Sequence, residues 1–337
     1  MTKMLDRAYK KLSMDELVDR IIPDTDTLIL FHRHPDADAI GSTLALRLLL
    51  KAQGCRVSIA CEDEIPERLQ FLHDGKQEFA QYTRLPSDYS PIQIIAVDTA
   101  SPSQLGALYQ IFGDRVDLMI DHHERGEMYA DGWICGKAAA TGEMILDIAE
   151  ALLEKGRISE IPTGVYPLLY AAISSDTGCF RYSNVTPDTH MRAARIVSHG
   201  IDTASINHLL FESKSYKVLS AEKAGFDRLR LYSGGRVAII PFPYELKVEL
   251  GLSDEHLETL VDVARSLEGV MVAVTIRQPS SDGVFRASMR SSCDLDVAKI
   301  CAEFGGGGHI RAAGCTITAD SIDEAVEIVA KRICECF

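Results

Sequence analysis

No apolar run in this 337-residue chain approaches the roughly 20 residues needed to cross a bilayer. The opening MTKMLDRAYKKLSMDELVDR also lacks the apolar core of a secretory leader. The expectation is therefore a cytoplasmic protein without a membrane partner. CxxC pairs are absent and nine cysteines is an odd number, so scattered reduced thiols are expected rather than a disulfide framework or a zinc ribbon. Cys334 and Cys336 read as packing or frayed-end thiols rather than ligands for a soft metal. A basic surface is missing too: 35 Lys and Arg against 49 Asp and Glu give a formal net charge of −14. Counterion release rewards cationic surfaces, so a long duplex is a poor partner, whereas a small anion held by local cations is not excluded.

The composition, 46% hydrophobic and 25% charged, suits two domains with cores of their own. Short β-rich runs at 27–31, 57–60, 94–97 and 116–120 alternate in the first half with helical stretches, one stopped by Gly54 and another running from near Thr141 to Gly156. This is the rhythm of a mainly parallel sheet flanked by helices. The Gly41-Ser42 pair reads as a turn before the helix that ends at Gly54. A polar helical stretch follows, and then a segment with strands at 237–241, 271–276 and 284–289. We expect a first domain over 1–200, a helical connector over 201–231 and a second domain over 232–337.

Ionisable groups stand where apolar runs, each read as a strand, end. His32, Asp36 and Asp38 follow the run 27–31, Asp98 follows 94–97, Asp121-His122-His123 follows 116–120, and Asp176 follows the apolar 168–173. In an open α/β sheet the carboxyl ends of the strands share one crevice, so these separated residues can meet. Carboxylates and imidazoles together suit divalent metal, and so many carboxylates in one place repel each other without cations. Each motif alone has an ordinary explanation: Asp36 or Asp98 as a helix cap, the histidines as a solvated loop, Asp176 as a turn residue before Gly178. Adjacent histidines after a strand are expected to point apart, one to a metal and the other to substrate.

In the second domain, Gly305 to Gly308 let backbone amides approach a phosphate without a Cβ in the way, and His309 adds a donor. Arg286, Ser288 and Arg290 share one strand face, with Arg286 expected to be simply solvated. Arg311 reads as a rim residue. Phe180 and Tyr182 are candidates for base stacking, with burial in the core as the competing explanation.

The order HRHPDADAIGS, AVDTA, DHHERG, SSDTGCFRYSN and GGGGHIRAAG resembles the DHH/DHHA1 phosphoesterases over nearly the whole chain. Among them it is most like the short bacterial members described as bifunctional oligoribonuclease (nanoRNase) and 3′-phosphoadenosine 5′-phosphate phosphatase. The resemblance implies an α/β fold: an N-terminal DHH domain with a mainly parallel sheet, and a smaller C-terminal α/β DHHA1 domain. It implies two divalent ions, usually Mn²⁺. His32 and Asp36 would hold the first, Asp38, His122 and Asp176 the second, and Asp98 would bridge them and serve in catalysis. His123 would contact the scissile phosphate as a catalytic residue, with Asp121 orienting a metal-ligating histidine. His34 has no implied role. Arg290, Ser291, Gly306, Gly307 and His309 would bind substrate.

The implied reaction is attack by a metal-bridged hydroxide. It would cut short single-stranded RNA to mononucleotides and 3′-phosphoadenosine 5′-phosphate to AMP. Dinucleotides such as pApA or cyclic dinucleotides are the alternative substrates, and a non-catalytic nucleotide-binding module is the alternative class. Oligomeric state, a homodimer included, is not fixed by these residues.

Overall fold

A computed structural model describes residues 8–73, 79–81, 85, 89–123 and 126–337. Glu124 and Arg125 of the DHHERG string lie outside the described residues. The chain divides into two units, 1–213 and 214–337. Residues expected as a connector are shared between them, and Ala221 of the polar helix is buried in a core of the second unit.

The first unit runs α1 (Met14–Arg20), β1 (Asp26–Phe31), α2 (Ala37–Ala52), β2 (Arg56–Cys61), β3 (Phe79–Gln81), β4 (Gln93–Val97), α3 (Ala107–Phe112), β5 (Leu118–Asp121), β6 (Asp131–Ile134), α4 (Thr141–Glu154), α5 (Val165–Asp176), α6 (Pro187–Val197) and α7 (Thr203–Asn207). Its six strands are ordered β3-β2-β1-β4-β5-β6, every pair parallel. Alternate residues of β1 enter opposite cores: Ile29 and Phe31 pack with α2, α4 and α5, while Leu28 and Leu30 pack with Leu105, Leu108 and Phe112. Burial on both faces explains the unbroken apolar runs. From β1 the chain winds outward through β2 and β3, and then returns to β4 on the other side of β1. The strand order thus reverses between β1 and β4, and a crevice opens there at their carboxyl ends.

Two sequence expectations need correction. Gly41 and Ser42 form no turn; they lie inside α2, whose N-cap is Asp36. A Cβ at Gly41 would sit 2.6 Å from the Leu168 carbonyl oxygen, so glycine is there to let α2 and α5 touch. The run 168–173 is helix α5, not a strand. It is buried on nearly every side, and an all-round apolar helix has no 3.6-residue stripe to distinguish it from a buried strand.

The second unit runs α8 (Tyr216–Phe226), β7 (Arg230–Tyr232), β8 (Val237–Phe242), α9 (Tyr244–Glu249), α10 (Leu260–Arg265), β9 (Val272–Arg277), β10 (Val284–Ser291), α11 (Val297–Glu303), β11 (Gly307–His309), β12 (Ala312–Thr318) and α12 (Ile322–Cys334). Its sheet order is β11-β12-β10-β9-β8-β7, parallel only between β8 and β9. Residues alternating along β9, β10 and β12, including Val274, Met289 and Ile317, bury one face against Val297 and Cys301 of α11 and Val326 and Val329 of α12. Among the described residues no helix is long and apolar enough to cross a membrane.

Candidate metal centre and anion-facing sheet

The first unit gathers the predicted residues at the switch point between β1 and β4. His32 directly follows β1, Asp98 follows β4, Asp121 ends β5, Asp36 caps α2, Asp38 lies in its first turn, and Asp176 ends α5. Among the described residues three overlapping groups of donor atoms result, each within 4.8 Å of one another: His32, Asp36 and Asp98; Asp38, His122 and Asp176; and Asp98, His122 and His123. The carboxylate of Asp98 faces the first two, with Oδ2 3.5 Å from His32 Nε2 and Oδ1 3.7 Å from His122 Nε2. Asp36 does two things at once. Its Oδ1 accepts from the Ala39 amide at 3.0 Å as a helix cap and lies 3.8 Å from His32 Nε2.

Backbone carbonyls fix the ring nitrogens. His32 Nδ1 is 2.8 Å from Arg33 O, and His122 Nδ1 is 3.3 Å from Ala138 O. A carbonyl can only accept, so each Nδ1 carries a hydrogen and donates it. Nε2 is left as the atom that can lose a proton and bind a cation. The histidines of the DHH string do not point apart as expected. Their ring centroids are 4.7 Å apart, and His123 Nδ1 also comes within 3.8 Å of Asp98 Oδ1. Both follow the last residue of β5, where strand alternation no longer governs direction. Asp121 Oδ1 accepts from His123 Nδ1 at 2.7 Å, so it orients His123 and not, as expected, a metal-ligating histidine; His32 and His122 are held by backbone carbonyls instead.

Sequence reasoning missed the groups that hold these carboxylates. Asp38 is fully buried and accepts from Ser42 Oγ at 2.9 Å, from the Thr141 amide at 2.7 Å and from the Gly142 amide at 2.9 Å. The last two are unsatisfied donors in the first turn of α4, where a carboxylate is favoured. Thr141 Oγ1 donates to Asp98 Oδ1 at 2.9 Å. Thr141 was legible as a helix start, but not as a partner of a residue 43 positions away. Asp98 itself has φ of 56°, a left-handed conformation unusual for a residue with a side chain. Its amide donates to Ile120 O at 2.8 Å.

Charge balance tests whether a metal fits. Burial raises the Asp38 carboxyl well above its usual range, with Asp98 and Asp176 repelling it further. Burial pushes Asp176 up to about 6, opposed by a hydrogen bond from His122. For Asp98, burial acts upward but is outweighed by His32, His122 and His123, and the carboxyl is held low. Burial would lower His32 and His122; Asp36 and Asp98 raise the first and Asp176, Asp98 and Asp38 the second, leaving both well above the ordinary imidazole value. Protons on these groups balance the carboxylates. Divalent cations could replace them, and the all-oxygen-and-nitrogen donor set suits hard to borderline ions. The residues fit a pair of such ions.

Other candidates are placed less centrally. His34 is exposed, its Nδ1 2.8 Å from Asp63 Oδ2. Phe180 packs against the core and stacks on His190 at 5.5 Å, as the core reading of that ring anticipates. Tyr182 is 38% exposed, and its ring leaves no room for a Cβ on Gly178. Arg311 Nη1 donates to Cys293 O at 2.7 Å.

In the second unit the strand register puts Arg290 opposite Ala312 and Ala312 opposite His309, and likewise Ser288, Gly314 and Gly307. Directly opposed residues share a face, so Arg290, Ser288, Gly307 and His309 lie on the side of the sheet away from α11 and α12. Gly307 has open space where a Cβ would be, consistent with a close approach to its backbone. Gly306 does not: a Cβ there would lie 2.1 Å from Gly314 O, so its glycine is a packing requirement. Ser291 is buried, donates to Cys293 O at 3.0 Å and accepts from the Cys293 amide at 3.3 Å. It faces away from Arg290 and holds a turn, so a substrate contact through its hydroxyl does not follow.

Against known proteins, the DHH family, N-terminal domain, matches residues 26–173, and the DHHA1 domain matches residues 238–335. The chain is 30% identical over 312 residues to a bifunctional oligoribonuclease and PAP phosphatase of Thermus thermophilus, covering 91% of this chain and 89% of that protein. It is 27% identical over 314 residues to the Bacillus subtilis protein of the same description, with 92% and 95% covered. A crystal structure of an exopolyphosphatase-related protein from Bacteroides fragilis superposes with a TM-score of 0.84 at 21% identity, covering 96% of this chain and 95% of that one. That last likeness is one of fold.

Proposed function

The chain belongs to the DHH family, with both its N-terminal domain and a DHHA1 domain, and on that premise we propose a metal-dependent phosphoesterase. It would hydrolyse short oligoribonucleotides to mononucleotides and 3′-phosphoadenosine 5′-phosphate to AMP. The observation that carries the reading is the single carboxylate of Asp98 set between two groups of potential ligands. The two relatives described as bifunctional oligoribonuclease and PAP phosphatase support the choice of substrates.

His32 and Asp36 would hold one divalent ion, Asp38, His122 and Asp176 the other, and Asp98 both. Manganese is our proposal. Bound there, the ions would supply an activated water and neutralise phosphoryl oxygens. The chain's own residues do the rest. Thr141 fixes the rotation of the Asp98 carboxylate, and the α4 amides fix Asp38. His123 is held at Nδ1 by Asp121. Burial acts to lower its pKa, but Asp121 and Asp98 raise it. Its Nε2 is therefore favoured to carry a proton, which it can donate to a phosphoryl oxygen as charge develops. Arg290 and His309 would take the terminal phosphate, with Gly307 leaving room for it. A net charge of −14 repels long polymers and leaves short anions to these local cations.

The test is incubation with Mn²⁺ and a panel of an RNA pentamer, pApA, a cyclic dinucleotide and 3′-phosphoadenosine 5′-phosphate. Release of mononucleotides from the pentamer and of AMP from the bisphosphate is expected. Turnover of the cyclic dinucleotide alone would redirect the substrate assignment, and turnover of none would contradict the enzyme reading.

A further inference from the structure

Arg286 of β10 stands directly opposite Arg277 of β9 in the antiparallel register. Both side chains leave the sheet on the face away from α11 and α12, since Phe285, Ala287 and Ile276 take the buried face. Like charges opposed across a strand pair destabilise it. Among the described residues no carboxylate compensates this pair. Arg286 is exposed and makes no hydrogen bond or ion pair, while Arg277 donates one Nη1 to Asp254 O at 3.2 Å and has a buried Nε with no partner. On the other side of Arg286 the register places Thr316, an exposed hydroxyl. Three donors from three adjacent strands thus form one row, with unused hydrogen-bonding capacity and uncompensated positive charge.

We propose that Arg277, Arg286 and Thr316 form a second phosphate subsite, which takes an internal backbone phosphate of an oligonucleotide whose terminal phosphate is at Arg290. This deepens the function proposed above and rests on it for the role of Arg290. Arg286 and Arg290 are four residues apart on one strand, about 13 Å along β10. Each basic point is tied locally: Arg277 to Asp254 O, and Arg290 Nη1 to Met289 O at 3.1 Å. In the row between them Thr275 is buried, while Ser288, Gly314 and Gly307 carry only small side chains and are not buried. A lane with small residues between two basic rows has room for nucleotide between two phosphates. One nucleoside bisphosphate does not reach from row to row, whereas an oligonucleotide can. The second row therefore adds affinity that depends on substrate length, and it supplies the local cations that an otherwise acidic chain needs.

The experiment measures binding rather than turnover. Fluorescence polarisation of labelled adenylate pentamer and dimer is followed in chelator, with full-length wild-type protein and Arg286→Gln. The proposal expects the variant to weaken the pentamer about tenfold or more and to do so far more than the dimer. It also expects the slope of log affinity against log salt for the pentamer to fall by about 0.7, the value for one phosphate that is no longer neutralised. Arg286→Lys should recover part of the loss. A thermal melt controls for folding; relief of the like-charge pair should leave the variant melting no lower than the parent. Equal losses for pentamer and dimer, or none for either, would overturn the subsite. Inorganic tripolyphosphate competing as well as the pentamer would overturn the oligonucleotide assignment. Because no turnover is required, length-dependent binding can persist if hydrolysis fails, and hydrolysis can persist if the subsite fails.

Discussion

Replacing Thr141 by valine removes one hydroxyl from a fully buried site while keeping its shape and the Thr141 amide that Asp38 accepts from. Asp98 Oδ1 loses a donor at 2.9 Å. A hydrogen bond to a charged partner contributes roughly 1.5–3 kcal/mol, and loss of an outer partner of a metal-binding residue commonly costs about 10–100-fold in metal affinity or activity. The two figures agree, since about 1.4 kcal/mol is tenfold. Titrating Mn²⁺ against Thr141→Val should therefore show weakening of about 10–100-fold. At saturating metal, kcat on 3′-phosphoadenosine 5′-phosphate should fall with little change in KM, because Thr141 positions Asp98 rather than touching substrate. Thr141→Ser should restore most of both. If the valine variant binds Mn²⁺ and turns over as the parent does, while melting at the same temperature, the hydroxyl has no positioning role and the reasoning fails.

Gly41→Ala would place a Cβ 2.6 Å from the Leu168 carbonyl oxygen and force α2 away from α5. Overpacking of this kind costs about 1–3 kcal/mol; a lowered melting temperature is expected together with weaker Mn²⁺ binding, since α2 carries Asp38 and α5 carries Asp176. A lower melting temperature with unaltered metal binding would separate the helix contact from the site. Metal binding should also release protons. His32 and His122 have raised values in the folded metal-free protein, so their protonation stabilises that state fully below the unfolded imidazole value near 6.5 and is lost as pH rises through the raised folded values. Mn²⁺ must displace those protons, and at lower pH also those on Asp38, whose carboxyl is raised well above its usual range, and, below about 6, on Asp176. Affinity should therefore rise as pH climbs from about 6 through the raised histidine values. Calorimetry in buffers of different ionisation enthalpy reads the protons released; a pH-independent affinity with no buffer effect would refute the protonation scheme.

Much of the site was legible because parallel-sheet chemistry is local: β1, β4 and β5 are apolar runs that stop at polar residues, and the stops face one crevice. What escaped were features set by other elements. Asp176 reads as a strand end because helix α5, buried on nearly every side, lacks an amphipathic stripe. Gly41 reads as a turn because its purpose, contact with α5, is not visible from its neighbours in sequence. Divergence of His122 and His123 follows only from a strand alternation that no longer holds beyond β5. Thr141, Ser42 and Gly142 carry no chemical signature of their own; they matter only because the fold brings the start of α4 to Asp38 and Asp98. In the second unit, alternation correctly put Arg286 on an exposed face. The register opposite Arg277 makes that position more than a solvated one, and a single strand cannot reveal its neighbour.

The central claim is that two cations share the Asp98 carboxylate, and counting bound manganese tests it most directly. Equilibrium dialysis of the wild-type chain with metal analysis should give two Mn²⁺ per chain, with the exchange-coupled electron paramagnetic resonance signals expected of two ions that share a carboxylate. Asp98→Asn should lose the coupling and at least one ion. One isolated ion in the parent, or two coupled ions retained in Asp98→Asn, would contradict the account.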